Sequence, residues 1–238
     1  MLFRTGLAAL ALLFTAGASA QDIAPRGEER PGDFALGDPD APVLLIEYAS
    51  VACPHCGTWY NNVWPAVEED YINTGRVRFV TREMLTGSAP LALAGFMMAR
   101  CAADNLYFDA LDLLFTQQGE IFQAAQSEGG ALPVYLQIAA AVGLNENDFT
   151  TCLNNDLVRT AVIAAHEQAV ADGIPATPAF IINGVLVTTE HDHSGESHGF
   201  IYMADGEPLL IDGEQVPATV EADSFTRIID YFEQQNRD

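Results

Sequence analysis

The apolar positions along the chain switch between a strand-like and a helix-like pattern, and the switches mark out its elements. Residues 43–49 are nearly all apolar and rich in branched side chains, with Pro42 ahead and a cysteine motif behind, which predicts a short strand buried on both faces. Glu47 is the one charge inside it. Pro54 then stands at the first position of a helix, where its missing N–H would be unpaired anyway, and the helix runs through Trp59 and Tyr60 to a bend or break near Pro65. Val77 to Val80 predicts a second short strand.

A long helical block follows. Ser88 with Pro90 opens a helix over 91–103, Asn105 opens 106–117, Pro133 starts a run to Ala141 that stops at Gly143, and 146–153 and 157–171 complete the block before Gly173. The β pattern returns at 178–182, turns at Asn183-Gly184 and continues over 185–188, a strong hairpin signal. A helix over 221–235 ends the chain. Strands on both sides of a helical block predict an α/β sheet with an inserted all-helical subdomain.

At the N-terminus Arg4 precedes an apolar stretch, 6–16, that ends in Ala18-Ser19-Ala20, the pattern of a secretory signal peptide cut after Ala20. The stretch is shorter than the roughly 20 residues needed to span a bilayer, and no stable membrane insertion is expected elsewhere. Residues 21–32, polar with Pro25, Pro31 and Gly32, read as a flexible lead-in. That leaves 33–84 and 173–238 for the α/β domain and 85–172 for the inserted subdomain. A periplasmic location follows from the leader.

Charge narrows the partners. The chain has 33 acidic residues against 10 basic ones, and every basic residue is arginine. Nucleic acid and anionic membrane surfaces are poor partners for such a field. Solubility or adaptation to salt accounts for it, and steering of basic substrates is the sharper reading. The missing lysine also excludes Schiff-base chemistry.

The chemistry sits in Cys53-Pro54-His55-Cys56, between the first strand and its helix. Cysteines three apart on a helical turn share a face, so a small adjustment brings the sulfurs within bonding range. Free N–H groups and the positive end of the helix dipole favour a thiolate on Cys53, and a protonated His55 adds a second stabilising charge. The same spacing also serves as half a zinc site. That alternative needs two more ligands, and the other cysteines, Cys101 and Cys152, are far apart in sequence.

With a strand, a C-x-x-C at a helix start, a helical block and Thr177-Pro178 opening a β-hairpin, the chain resembles the DsbA-like thiol-disulfide oxidoreductases of the thioredoxin superfamily. Residues 36–43, 47–56 and 177–184 carry the resemblance, which departs between about 189 and 222, where a shorter connection is expected. The resemblance implies a thioredoxin-like fold and a cis peptide before Pro178, with Thr177 and Pro178 offering backbone groups to an extended substrate. It makes Glu47 the acid beneath the active site, raised by desolvation and able to exchange a proton with Cys56; a strand glutamate without that role is the plainer alternative. It matches His55 to the oxidising members, whereas Thr177 is a residue found in several reductase-like and isomerase-like relatives.

Outside the motif, Cys101 and Cys152 fall in helices of the inserted block and are expected to form a structural disulfide in an oxidising compartment. Phe96, Met97 and Met98 read as helix core. His191, His193, Glu196 and His198 crowd one acidic stretch, where a solvated loop is the simpler reading than a metal site, so no metal ligand is assigned. No flavin or nicotinamide signature is present, and no cofactor is expected. The expected function is an extracytoplasmic dithiol-disulfide oxidoreductase that introduces disulfides into reduced, unfolded exported proteins and is reoxidised by a quinone-linked membrane protein. The alternatives are a reductase or isomerase of the same fold, or a binding module acting as metal carrier or chaperone.

Overall fold

The computed structural model describes residues 24–103, 105–193 and 199–237; the expected signal peptide, Glu196 and His198 lie outside the described residues. Strand β1 (Phe34–Leu36) comes first, followed by β2 (Val43–Ala49), helices α1 (Pro54–Asn62) and α2 (Trp64–Val67), a π-helical turn over Glu68–Ile72, and β3 (Val77–Glu83). The helical block consists of α3 (Ala89–Cys101), α4 (Tyr107–Thr116), α5 (Gln118–Ala125), α6 (Leu132–Ala141), α7 (Glu146–Leu153) and α8 (Asp156–Ala171). Then come β4 (Ala179–Ile182), β5 (Val185–His191), β6 (Phe200–Ala204), the short β7 (Glu207–Pro208), β8 (Leu210–Ile211) and β9 (Glu214–Gln215), and α9 (Ala222–Gln235).

The main sheet has the order β1-β3-β2-β4-β5-β6-β7. β2 and β3 run parallel, with Val43 opposite Val77 and Glu47 opposite Thr81, and the remaining pairs are antiparallel. Because side chains alternate along a strand, β2 feeds two cores. Val43, Leu45 and Ala49 pack with Phe79 and Phe180 under α1, α9 and most of the helical block, whereas Ile46 and Tyr48 join Val80, Ile181 and, from α8, Ala169. This is a thioredoxin-like α/β fold with a helical subdomain inserted between β3 and β4. Cys101 and Cys152 are disulfide-bonded, joining the end of α3 to α7, and Phe96, Met97 and Met98 are core residues.

Several elements go beyond the sequence reading. The helix does break beside Pro65, at Val63, yet it resumes at once, because Pro65 sits in the first turn of α2 where a proline is tolerated. The three-residue β1 carries too few positions for a period to show, and α5 follows α4 at once with no side-chain cap to announce its start. Between 189 and 222 the chain forms β6 to β9 instead of a plain connection. Asp205 (φ 47°) and Asp212 (φ 56°) adopt the left-handed conformation ahead of Gly206 and Gly213, making the Asp-Gly turns of tight hairpins. Of the stretch read as a flexible lead-in, residues 26–30 are anchored. Arg30 pairs with Asp172 at 2.7 Å, Glu29 with Arg78 at 2.9 Å, and Arg82 donates to the carbonyls of Arg26 and Glu28. Those partners are distant in sequence, so composition alone could not show them.

Candidate active site

Cys53 is the residue that caps α1. Its backbone is extended (φ −98°, ψ 119°), Pro54 follows in the first turn, and no side chain caps the helix. The first-turn N–H groups that a serine or aspartate would ordinarily satisfy are therefore available to sulfur. The two sulfurs are both free thiols and unequal in setting: Cys53 retains 7% of its surface and Cys56 none.

The electrostatics separate them further. A hydrogen bond from the Cys56 thiol, a second from the Thr177 side chain and the backbone N–H groups of Cys56 and His55 outweigh burial and bring Cys53 down to about 5. Burial pushes Cys56 well above the usual thiol value, reinforced by the Cys53 and Glu47 charges, with only the Ser50 N–H, 3.5 Å from its Sγ, pulling the other way. A sulfur ionised at neutral pH is both a nucleophile and a good leaving group, and its partner is held as a thiol. The His55 side chain is exposed, and its contribution to the Cys53 hydrogen bonds comes through its amide.

Glu47 lies on β2 between Thr81 of β3 and Phe180 of β4. It is buried, its Oε1 has no hydrogen-bond partner, and desolvation together with the Cys53 charge raises it to about 8. A carboxyl of that value next to a buried thiol can hold or release a proton near neutral pH. The Thr177-Pro178 bond is cis, and the Thr177 carbonyl accepts from Cys53 Sγ at 3.3 Å.

Two features have no signature in the motif. Gln118, opening α5, reaches across from the helical subdomain and donates to the carbonyls of Val51 (2.9 Å) and Cys53 (3.1 Å). A cavity of about 510 Å³ adjoins the cysteine motif, with walls that include His55, Trp59, Thr177, Pro178, Phe200 and Tyr202. Phe200 and Tyr202 come from the segment where the family resemblance lapses; the Asp205-Gly206 turn was the signal that could have found them. The His191 ring lies against that of Phe200, tilted by 33° with centroids 4.0 Å apart. Among the described residues no group of three histidine, cysteine or acidic side chains is placed to hold a metal.

An acidic sulfur at a helix start, its buried partner and a facing proline loop make up a site suited to thiol-disulfide exchange on a thioredoxin-like frame. The family model described as Thioredoxin matches residues 29–197, and the chain belongs to the thioredoxin family. A Rickettsia conorii relative named as a protein-disulfide oxidoreductase is 30% identical over 159 residues, covering 64% of this chain and 54% of that protein. The chain thus spans about half the length of the curated relatives it matches. The crystal structure of alpha-DsbA1 from Wolbachia pipientis matches with a TM-score of 0.64 at 25% identity, covering 87% of this chain and 94% of that one. DsbA of Chlamydia trachomatis, 13% identical, shares the fold with a TM-score of 0.59 over 88% of this chain and 95% of its own.

Proposed function

We propose that the protein is an extracytoplasmic dithiol-disulfide oxidoreductase that introduces disulfide bonds into exported polypeptides. The observation that carries this reading is the inequality of the two sulfurs, Cys53 brought down to about 5 and Cys56 held well above the ordinary thiol. In the oxidised protein a substrate thiolate attacks Cys53 Sγ, the Cys53–Cys56 bond breaks, and Cys56 leaves with both electrons of that bond. Glu47 supplies the proton that Cys56 takes up. The substrate's second thiolate then attacks its own sulfur in the mixed disulfide, and Cys53 departs as a thiolate. The substrate loses two electrons and gains a disulfide, and the protein is left as the dithiol. Turnover needs an external oxidant, for which the family resemblance suggests a quinone-linked membrane protein.

Thr177 and Pro178 line the edge against which an extended chain would lie, and the adjoining cavity can seat one of its apolar side chains. The leader ending at Ala20 and the protein's own Cys101–Cys152 bond both favour an oxidising compartment such as the periplasm. Among the described residues no helix is long and apolar enough to cross a membrane.

The test is equilibration of the Cys53/Cys56 pair with glutathione buffers, followed by oxidation of a reduced, unfolded test protein. A potential well above the roughly −270 mV of thioredoxin is expected, with substrate disulfides forming stoichiometrically. A pair as reducing as thioredoxin would shift the reading to a reductase. Full activity of a Cys53→Ser, Cys56→Ser variant would shift it to a binding module.

A further inference from the structure

Polar groups that fix the two sulfurs converge on one residue outside the cysteine motif. Thr86 follows β3, and its two polar ends serve different cysteines. Its hydroxyl lies 2.6 Å from that of Thr177, whose carbonyl accepts from Cys53 Sγ at 3.3 Å and whose side chain is among the groups that bring Cys53 down. Its carbonyl accepts from Ser50 Oγ at 2.8 Å, and the Ser50 N–H faces Cys56 Sγ. The loop is pressed close against the cysteine segment: Gly87 has φ +72°, and a Cβ there would lie 2.0 Å from the Ala52 carbonyl oxygen. Behind it, the Leu85 N–H donates to Nδ1 of His166 on α8 at 3.4 Å.

We propose that Thr86 is a positioning residue whose hydroxyl donates to Thr177 and so keeps the Thr177 proton turned to the Cys53 thiolate. The inference rests on the exchange function proposed above. A hydroxyl has one proton to give. Thr177 can give it to Cys53 only when the bond between the two threonines is made with the Thr86 proton. The resulting chain, Thr86 to Thr177 to Cys53, is polarised in one direction, and each bond strengthens the next. When Cys53 is protonated, its own S–H is used on the Thr177 carbonyl, and the threonine pair gains nothing from that orientation. Thr86 therefore favours the thiolate selectively, which makes Cys53 a better leaving group. The other groups facing Cys53 are the Cys56 thiol, the amides of His55 and Cys56, and the Glu47 carboxyl. None of them bonds to the Thr86 hydroxyl, and removing that hydroxyl leaves the Thr86 carbonyl and its Ser50 bond in place.

The experiment is a pH titration of the Cys53 thiolate absorbance in the reduced full-length mature protein. Variants are Thr86→Val, Thr86→Ala, Thr86→Ser, Thr177→Val and the double Thr86→Val, Thr177→Val. Removing the Thr86 hydroxyl is expected to raise the Cys53 midpoint by about half to one pH unit, the scale of a single hydrogen bond to a charged group. Thr86→Ser should restore it, and Thr86→Val should add nothing once Thr177 is valine. Thr86→Ala gives the same reading should valine overfill the loop. An unchanged midpoint in the folded Val and Ala variants overturns the inference, as does full additivity with Thr177→Val. Wild-type Cys53 titrating like a free cysteine would bring down the proposed function with it; an acidic wild type indifferent to the Thr86 hydroxyl overturns this inference alone.

Discussion

Glu47 on β2 and Glu83 on β3 lie on adjacent parallel strands, two residues apart in register and on the same face of the sheet. Both are buried, and burial pushes both carboxyls up. Around Glu83 the helical subdomain supplies what burial takes away. Arg100 of α3 donates to both of its oxygens at 2.9 Å, and the Tyr107 hydroxyl of α4 donates at 2.9 Å. Among the described residues nothing comparable reaches Glu47, whose Oε1 is orphaned below the cysteines. A paired buried acid ties a subdomain to the sheet, and an unpaired one keeps a mobile proton. The same residue type at nearly the same depth thus serves the fold in one place and the chemistry in the other.

The largest expected effect comes from breaking the paired side. Arg100→Met would leave Glu83 buried without its cation, with a cost of roughly 3 kcal/mol in urea unfolding. Glu83→Gln with Arg100→Met should recover much of that loss, because no unpaired charge remains buried. The Cys53 titration should hardly move in either variant. A large shift there would mean that the two acids are not separate devices.

The orphan side is expected to show in the pH dependence of stability. The Glu47 carboxyl keeps its proton up to about 8 in the fold, against an ordinary 4.5. Between those values the folded protein binds the extra proton, so stability falls as pH rises through that window. In the oxidised protein the cysteines do not titrate and the Cys53 charge is gone, so burial alone holds Glu47 up, and the wild type should lose up to about 3 kcal/mol more than Glu47→Gln between pH 5 and 8. Parallel profiles would show that Glu47 ionises normally. In exchange assays the same variant should slow release of Cys56, since that sulfur would leave without its proton source.

The sequence made this contrast only half visible. Glu47 stands out as a charge in an apolar strand six residues before Cys53. Glu83 looks like the polar end of a strand, because its partners are 17 and 24 residues away on two different helices, a proximity that only the folded chain creates. The central strands, the cysteine helix, the Asn183-Gly184 hairpin and most of the helical block were legible because each carries a local period or turn residue. Thr86 and Gln118 were not, since a threonine in a loop and a glutamine at a helix start have many plainer uses. The walls from β6 escaped for a third reason: short strands joined by Asp-Gly turns were read as a connection, although the turns themselves were in view.

The smallest expected effect refines the picture of what receives donors near the thiols. Gly57 is in α1, where replacing glycine by alanine ordinarily stabilises a helix by up to about 1 kcal/mol. Here an added Cβ would lie 2.5 Å from Oε1 of Gln118. That side chain cannot swing aside without releasing the carbonyls of Val51 and Cys53. Gly57→Ala should therefore destabilise by about 1 kcal/mol, and should turn stabilising in a Gln118→Ala background, where the obstruction is gone. The sign reversal, read by thermal unfolding of the four proteins in the cycle, would show that the subdomain holds the cysteine loop by its backbone carbonyls. Gln118 would then stand to those carbonyls as Arg100 stands to Glu83, leaving Glu47 as the polar group beneath the thiols to which the subdomain gives no donor. An unchanged sign would mean that Gln118 moves freely and that the loop keeps its shape without it.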